Sequence, residues 1–249
     1  MDRRILVTGT GSGLGATLYD RFGDMALTRA DNPTEFWEHL AYDAIVHCAI
    51  DLAEGVDDAV SKNVSLLKDV CRIPHRLFVY ISSVDVYPNA DGALREDDPL
   101  GPIPTDASYR AIKLACEQVL ADTGTASLVL RPTALLGSTA RPNSLIRMRR
   151  DPHCALTLSA ASTFNYVLHR QVGEFIEAAM RDGHTGVYNI AATENVTLEE
   201  VAGILGARPV YGNFQYRTGD IDNSKAKAIY PELSMTTNEN ITAFIQECA

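Results

Sequence analysis

Tyr109-Arg-Ala-Ile-Lys113 sets a phenol and an ammonium four residues apart. In a helix that spacing is about one turn, so both side chains share a face. A tyrosine ordinarily ionises at about pH 10. A nearby ammonium favours the phenolate, so the pair predicts a Tyr109 pKa drawn down toward the working range. Such a pair can exchange a proton with a carbinol while a cofactor takes or gives hydride. Upstream, Val79-Tyr-Ile-Ser-Ser-Val-Asp-Val-Tyr-Pro88 ends an apolar run in the hydroxyls of Ser82 and Ser83. Hydroxyls there either face a ligand or satisfy the turn that follows a strand.

A further chemical feature opens the chain. The apolar run ending at Thr8 meets Gly9, Gly11, Gly13 and Gly15 and then a helix-like stretch. Glycines allow positive φ and close approach, and a helix N-terminus attracts anions, so the cluster suits a diphosphate as well as a flexible turn. Two registers fit it. Gly9, Gly13 and Gly15 follow Thr-Gly-x-x-x-Gly-x-Gly, whereas Thr-Gly-x-x-Gly-x-x-Gly needs a glycine where Ser12 stands, and Ser12 would offer phosphate a hydroxyl instead. The next apolar run ends in Leu27-Thr28-Arg29, with Asp31 two residues on. An acid at that strand tip bonds a ribose 2′-hydroxyl and an arginine accommodates a 2′-phosphate. Arg29 therefore favours NADP(H), with NAD(H) also open, and leaves Asp31 to face the adenine.

These groups need a scaffold that brings distant segments to one edge. Strands are expected at Arg4–Thr8, Met25–Thr28, Ala44–Cys48, Leu77–Ile81, Ser127–Leu130 and Val187–Ile190. Helices are expected at Leu14–Phe22, Thr34–Leu40, Asp57–Cys71 and Ala107–Leu120. Apolar strands alternating with amphipathic helices predict an α/β fold, a doubly wound parallel sheet with ligands at the strands' carboxyl ends. From Gly137 the rhythm breaks, and Arg141–Ser162 shows no clear alternation. Thr197-Leu-Glu-Glu and Asp222-Asn-Ser-Lys each mark a helix start. The expected division is a Rossmann domain over 1–136, to which 164–191 returns, and a small substrate-binding lobe from 137–163 and 192–249.

The 249 residues are 46% hydrophobic and 22% charged, with a formal charge of −10. That balance counts against a nucleic-acid surface. The five cysteines are scattered, without the spacing of a zinc site or disulfide framework, and no apolar run approaches the roughly 20 residues of a membrane span. The expectation is a soluble cytoplasmic protein with no metal and no membrane partner.

Taken together the landmarks resemble the extended short-chain dehydrogenase/reductase family of nucleotide-sugar epimerases, dehydratases and ketoreductases. They are Thr8-Gly9…Gly15, Ala44-Ile-Val-His-Cys-Ala49, Asn63-Val64, Ser82-Ser83…Val86-Tyr87, Tyr109…Lys113, Leu130-Arg-Pro…Gly137, Tyr188-Asn-Ile-Ala191 and Val196-Thr-Leu-Glu-Glu. The resemblance implies that Tyr109 is the general acid/base, that Lys113 binds the nicotinamide ribose and tunes it, and that Ser83 orients the substrate oxygen. It extends the cofactor site from the glycine loop (Gly9, Ser12, Gly13, Leu14, Gly15) and Arg29 and Asp31 to Cys48, Ala49, Asn63, Ile81, Ser82 and Pro132. On the substrate side it implies Ser83 and Asp85, Asn143 and Arg147 near a sugar-nucleotide diphosphate, and Arg217 of Arg217-Thr-Gly-Asp220 on the same phosphates. Arginine suits such phosphate contacts. Homodimers through helices near 57–71 and 107–120 are common in the family.

Departures narrow the reading. The 4,6-dehydratases carry Thr-Asp-Glu where this chain has Ser83-Val84-Asp85, so Val84 removes the acid for dehydration. Asn165-Tyr-Val-Leu-His-Arg-Gln171 lacks the family's paired aspartates. The expected function is an NAD(P)-dependent oxidoreductase or epimerase acting on a secondary alcohol or ketone of a nucleotide sugar. The alternatives are an NADPH-dependent reductase of a non-sugar carbonyl and a non-catalytic NADP-sensing protein.

Overall fold

Ile5 and Val7 project to one side of the first strand and Leu6 to the other, and each side meets its own core. The computed structural model describes residues 3–38, 41–52, 58–88, 92–106 and 108–248. In chain order its elements begin with β1 (Ile5–Thr8), α1 (Gly13–Phe22), β2 (Met25–Leu27), β3 (Tyr42–His47), α2 (Ala59–Cys71) and β4 (His75–Ile81). Then come β5 (Ala93–Leu94), α3 (Tyr109–Thr123), β6 (Ser127–Pro132), β7 (Ala134–Leu136), α4 (Ser144–Arg150), β8 (Thr163–Phe164) and β9 (Tyr166–Leu168). The chain continues through α5 (His169–Asp182), β10 (Gly186–Ile190), β11 (Val196–Thr197), α6 (Leu198–Leu205), β12 (Asp220–Ile221), α7 (Ser224–Ile229) and α8 (Thr237–Glu247).

Six strands form one parallel sheet in the order β10-β6-β4-β3-β1-β2, the α/β arrangement expected from the sequence. Side chains of α1, α5 and α7 fill one face against Val7, Val79, Leu130 and Ile190, and α2 and α3 cover the other against Leu6, Ile45, Tyr80 and Val129. Strand order reverses between β1 and β3, the position where such sheets open a ligand crevice. A third apolar cluster joins α4, α6 and α8 to Leu136, Tyr166 and Leu168. It draws on both the 137–163 and 192–249 segments, whereas Ala226 and Leu233 pack on the sheet core.

Local chemistry corrects several expected boundaries. In place of a helix over Thr34–Leu40 there is a single 3-10 turn at Pro33–Phe36, capped by Asn32, and the Trp37 indole donates to the Asp69 carbonyl; Leu40 lies outside the described residues. The helices expected from Asp57 and Ala107 begin at Ala59 and Tyr109, with Asp57 and Ala107 themselves outside the described residues. The 141–162 stretch contains α4, and its remainder bonds backbone to backbone with 210–216, from Leu156 to Val210 and from Ser159 to Phe214. Helix α8 starts in a capping box of Thr236 and Glu239, a signal the sequence reading passed over. Among the described residues no helix is long and apolar enough to cross a membrane, and no cluster of three His, Cys, Asp or Glu could hold a metal.

Helix α3, which carries Tyr109 and Lys113, is fastened by a buried ion pair. Arg131 at the end of β6 donates to Glu117 of α3 at 2.7 and 3.1 Å, with side chains only 4% and 9% exposed. Its other nitrogen donates to the Tyr87 hydroxyl (2.9 Å) and the Glu96 carbonyl (3.1 Å). Removing one partner of such a pair leaves the other charged and buried. Glu117→Ala is expected to lower unfolding stability by about 3–5 kcal/mol, read by urea denaturation. Arg76→Ala, which breaks the surface pair with Asp43 from its exposed side, gives the exposed-pair comparison at about 1 kcal/mol or less; equal losses would contradict the role assigned to the buried pair.

Candidate functional site

The glycine loop is built by exclusion of side chains. A Cβ on Gly9, whose φ is +73°, would lie 2.7 Å from the Ala49 nitrogen, and one on Gly15 would lie 2.2 Å from the Gly9 carbonyl oxygen. Gly13 has φ +62°, while Gly11 has ordinary φ and open space around it. The constrained positions are therefore Gly9, Gly13 and Gly15. Ser12 precedes α1 in extended conformation and its hydroxyl makes no cap bond. The Gly13 amide donates to the Thr139 carbonyl (2.9 Å), so the amides that follow it, from Leu14 and Gly15, are those the first helical turn leaves without an intrahelical partner. Thr8 secures the loop from below. Its hydroxyl accepts from the Ala49 amide (3.2 Å) and pairs with His47 (2.9 Å), and burial pushes the His47 pKa down to about 3. Beside it, burial pushes the Cys48 thiol up to about 12.

At the tip of β2, Arg29 is 86% exposed and meets only Asp51, at 3.7 Å, among its recorded ion pairs. Asp31 does not reach outward as expected. Its carboxylate accepts from the Thr28 amide and hydroxyl, both at 2.7 Å, and these bonds lower its pKa. A short loop returning on itself gives that carboxylate a nearer partner than any ligand. Asn63 is likewise committed inside the protein, accepting from the Asp51 amide and donating to the Asp51 and Ala59 carbonyls.

Ser83, Tyr109 and Lys113 come together at the carboxyl end of β4. Ser108 caps α3, so Tyr109 is its first residue and Lys113 stands one turn on. The Lys113 ammonium lies 5.5 Å from the Tyr109 ring centre, and Ser83 is near enough to act on the Tyr109 phenol. Lys113 is buried and donates to the Ile81 carbonyl at 2.7 Å. The expected lowering of the Tyr109 pKa is overturned. Tyr109 as a whole is 37% exposed, but desolvation around its phenol and then the Asp85 carboxylate push its pKa up to about 12, against smaller opposing effects of Ser83 and Arg141. Burial instead draws the Lys113 pKa down to about 8. Ser82 turns its hydroxyl to Glu117, and Pro132 is buried in the last pair of β6 and β10.

Beyond this triad a cleft of about 880 Å³ opens, walled by Asp85, Tyr87 and Arg110 on one side and by Phe214, Tyr216 and Arg217 on the other. Asp85 accepts from Ser83 (3.2 Å) and from Tyr216 (2.8 Å). Arg217 meets Gln215 at 3.5 Å. Asn143 and Arg147 do not line this cleft. The Asn143 side chain caps α4 through the Ile146 amide and donates to the Leu135 carbonyl, and Arg147 donates to the Ala155 carbonyl at 2.6 Å. A polar residue at a helix start favours the nearest unpaired amide, which accounts for the Asn143 cap.

Three contributors escaped the sequence reading. Tyr216 stands directly before Arg217, and no spacing rule pairs it with Asp85. Arg141 places its side chain 3.6 Å from where a Gly13 Cβ would sit, close enough to act on both Tyr109 and Lys113. Thr139 bonds the Gly13 carbonyl and joins Thr17 and His169 in one network.

Solved structures share this arrangement of the chain. A UDP-N-acetylglucosamine 4-epimerase from Bacillus cereus is 19% identical, with 99% of each chain covered and a TM-score of 0.78. A UDP-glucuronic acid 4-epimerase from Bacillus cereus, in complex with UDP-glucuronic acid and NAD, is 18% identical over 98% of each chain, at 0.75. RMD from Pseudomonas aeruginosa, complexed with NADPH, is 18% identical over 99% of this chain and 98% of its own, at 0.74. No curated protein matches the sequence. The sequence model of the NAD dependent epimerase/dehydratase family matches residues 6–191. The chain belongs to that family and is an NAD(P)-dependent enzyme of the short-chain dehydrogenase/reductase type.

Proposed function

We propose that this enzyme oxidises or reduces a secondary carbinol or ketone of a nucleotide sugar, with Tyr109 as the acid/base. The observation that carries the reading is the Ser83–Tyr109–Lys113 cluster, set between the glycine loop and the cleft. Gly9 and Gly15 let the loop close on Ala49 and on itself as it turns into α1, whose N-terminal amides suit the diphosphate of a dinucleotide. Bound there, a nicotinamide supplies or accepts the hydride. Ser83 donates to the substrate oxygen and stabilises charge that develops on it. Tyr109 delivers the proton in reduction and takes it in oxidation. Lys113, fixed on the Ile81 carbonyl, places its ammonium beside both Tyr109 and the expected ribose position.

Arg29 supports NADP(H). Its guanidinium is exposed and its contact with Asp51 is a weak surface pair, so a 2′-phosphate can recruit it, while Asp31 is engaged by Thr28. Arg217 on the cleft wall supports a phosphate-bearing substrate, and the neighbours crystallised with UDP-sugars have the same fold.

Three measurements test this reading. Tyr109→Phe is expected to keep dinucleotide binding but lose roughly 10²–10⁴-fold in turnover, followed by nicotinamide absorbance across a panel of UDP-sugars; unimpaired turnover would sink the mechanism. Arg29→Ala is expected to weaken NADPH binding about tenfold or more, the scale of one charge-assisted contact, and to spare NADH in fluorescence titrations. Equal effects on both cofactors would remove the NADP(H) assignment. In the pH profile of kcat/KM for reduction, activity is expected to hold below about 8 and decline as pH rises through about 8, because Lys113 loses its proton there while Tyr109 keeps its own up to about 12. A flat profile through that range would show that the Lys113 charge is not needed.

A further inference from the structure

Asp85 sits where the two sides of the cleft meet. On its own side, its backbone amide donates to the Ser83 hydroxyl oxygen (3.1 Å), and that same hydroxyl lies 3.2 Å from its Oδ2 atom. From the opposite wall, the Tyr216 hydroxyl donates to its Oδ1 atom at 2.8 Å. Val84 and Val86, which flank Asp85, pack with Leu114 of α3, the helix that Tyr109 begins, so the contacts from Tyr216 through Asp85 to Ser83 lie on a turn seated against that helix. Tyr216 is itself firmly placed. Its ring packs on Phe164 with centres 5.0 Å apart, Phe164 stacks on Tyr166, and its amide donates to Ser162 at 3.1 Å. The hydroxyl that reaches Asp85 is thus delivered by a rigid aromatic stack and not by a mobile surface side chain.

We propose that Tyr216 is a positioning residue, which reaches across the cleft to hold the Asp85 carboxylate against Ser83 and so fixes the charge that Tyr109 faces during proton transfer. The inference rests on the reading of Tyr109 as the acid/base. Physically, a carboxylate in that place opposes formation of a second negative charge on the Tyr109 phenol. Among the described residues, the groups that act on Tyr109 are Asp85 from the turn after β4, Tyr216 from the far wall, Tyr80 from β4, Arg141 from the loop after β7 and Lys113 on its own helix. Asp85 is the one acid among them, and the effect of its charge on Tyr109 exceeds the opposing effect of Arg141. Without the Tyr216 hydroxyl, Asp85 keeps only its local bonds to Ser83 and can turn into the solvent-filled cleft. Tyr216 therefore biases the site toward a protonated Tyr109, the form that donates to a ketone.

Tyr109 ionisation can be read without any substrate. Ultraviolet difference titration of phenolate absorbance compares each protein with a counterpart that also carries Tyr109→Phe, which isolates the Tyr109 midpoint. Asp85→Asn is expected to lower that midpoint by about one pH unit or more, and Tyr216→Phe to lower it in the same direction by a smaller amount. Circular dichroism checks the fold of each variant. Tyr216→Phe keeps the ring on Phe164, so it carries the test alone should Asp85→Asn fail to fold. An unchanged midpoint in Tyr216→Phe overturns the proposal, whatever Asp85→Asn does. Loss of the Tyr109 acid/base reading itself would show separately, as turnover that survives Tyr109→Phe.

Discussion

The buried Arg131–Glu117 pair is the constraint on which the site depends. Helix α3 has no covalent reason to lie at one fixed height along the sheet, and its apolar contacts with α2 and the sheet tolerate small slides. The guanidinium of Arg131 removes that freedom by meeting both oxygens of Glu117 from the end of β6. Its remaining donors take the Tyr87 hydroxyl, which passes on to Asn189 of β10, and the Glu96 carbonyl. Ser82 adds its hydroxyl to Glu117 from the end of β4. One ion pair therefore ties together three strand ends and the helix that carries Tyr109 and Lys113. A buried pair of this kind is weak in net stabilisation and strong in specifying geometry, because any slide strands a charge. Glu117 lies four residues beyond Lys113, so the register it fixes is the register of the turn that carries Tyr109 and Lys113.

Electrostatics inside that frame runs opposite to the simplest reading of a tyrosine and lysine one turn apart. Both groups are desolvated, and desolvation moves them in opposing directions: the phenol up to about 12 and the ammonium down to about 8. Lys113 directs its hydrogen bond to the Ile81 carbonyl and not to the phenol oxygen. The charge that acts most on Tyr109 is the Asp85 carboxylate. The sequence shows Tyr109 and Lys113 as neighbours; desolvation in the fold decides which proton leaves first, and Asp85 adds to its effect on Tyr109.

What was legible in the sequence follows a physical division. The strands read correctly because parallel, doubly covered strands are apolar almost throughout, and Ile5-Leu-Val or Ala44-Ile-Val-His carries that pattern in a few residues. Ser83, Tyr109 and Lys113 were readable because a helix turn and a strand end fix their neighbours locally. Asn143 and Asp31 misled for a shared reason. Each is a short polar side chain beside an unpaired backbone amide, and the local bond wins over a distant ligand. Tyr216 and Arg141 were invisible because their partners lie 131 residues away in one case and across the glycine loop in the other. No spacing rule reaches over such separations. The 141–162 stretch read as irregular since its regularity is borrowed: its carbonyls and amides are satisfied by 210–216, not by its own periodicity.

The glycine loop shows how the two ends of the chain share one site. Gly9 and Gly15 are fixed by contacts within the opening turn, with Ala49 and with each other. Gly13 is fixed differently. Its amide and carbonyl both bond Thr139, whose hydroxyl belongs to the Thr17–His169 network, and Arg141 lies over it. Gly137 permits this approach, since a Cβ there would lie 2.4 Å from the His169 ring nitrogen. Gly11, with no neighbour in reach, is the one glycine of the cluster that geometry leaves free to change. Gly13 is thus held by the segment that follows β7, and Gly9 and Gly15 by the opening turn itself. A displacement of that segment toward the cleft would move the Gly13 amide, and a displacement of the loop would move Arg141 against Tyr109. The opening loop and the segment after β7 are therefore joined at Thr139.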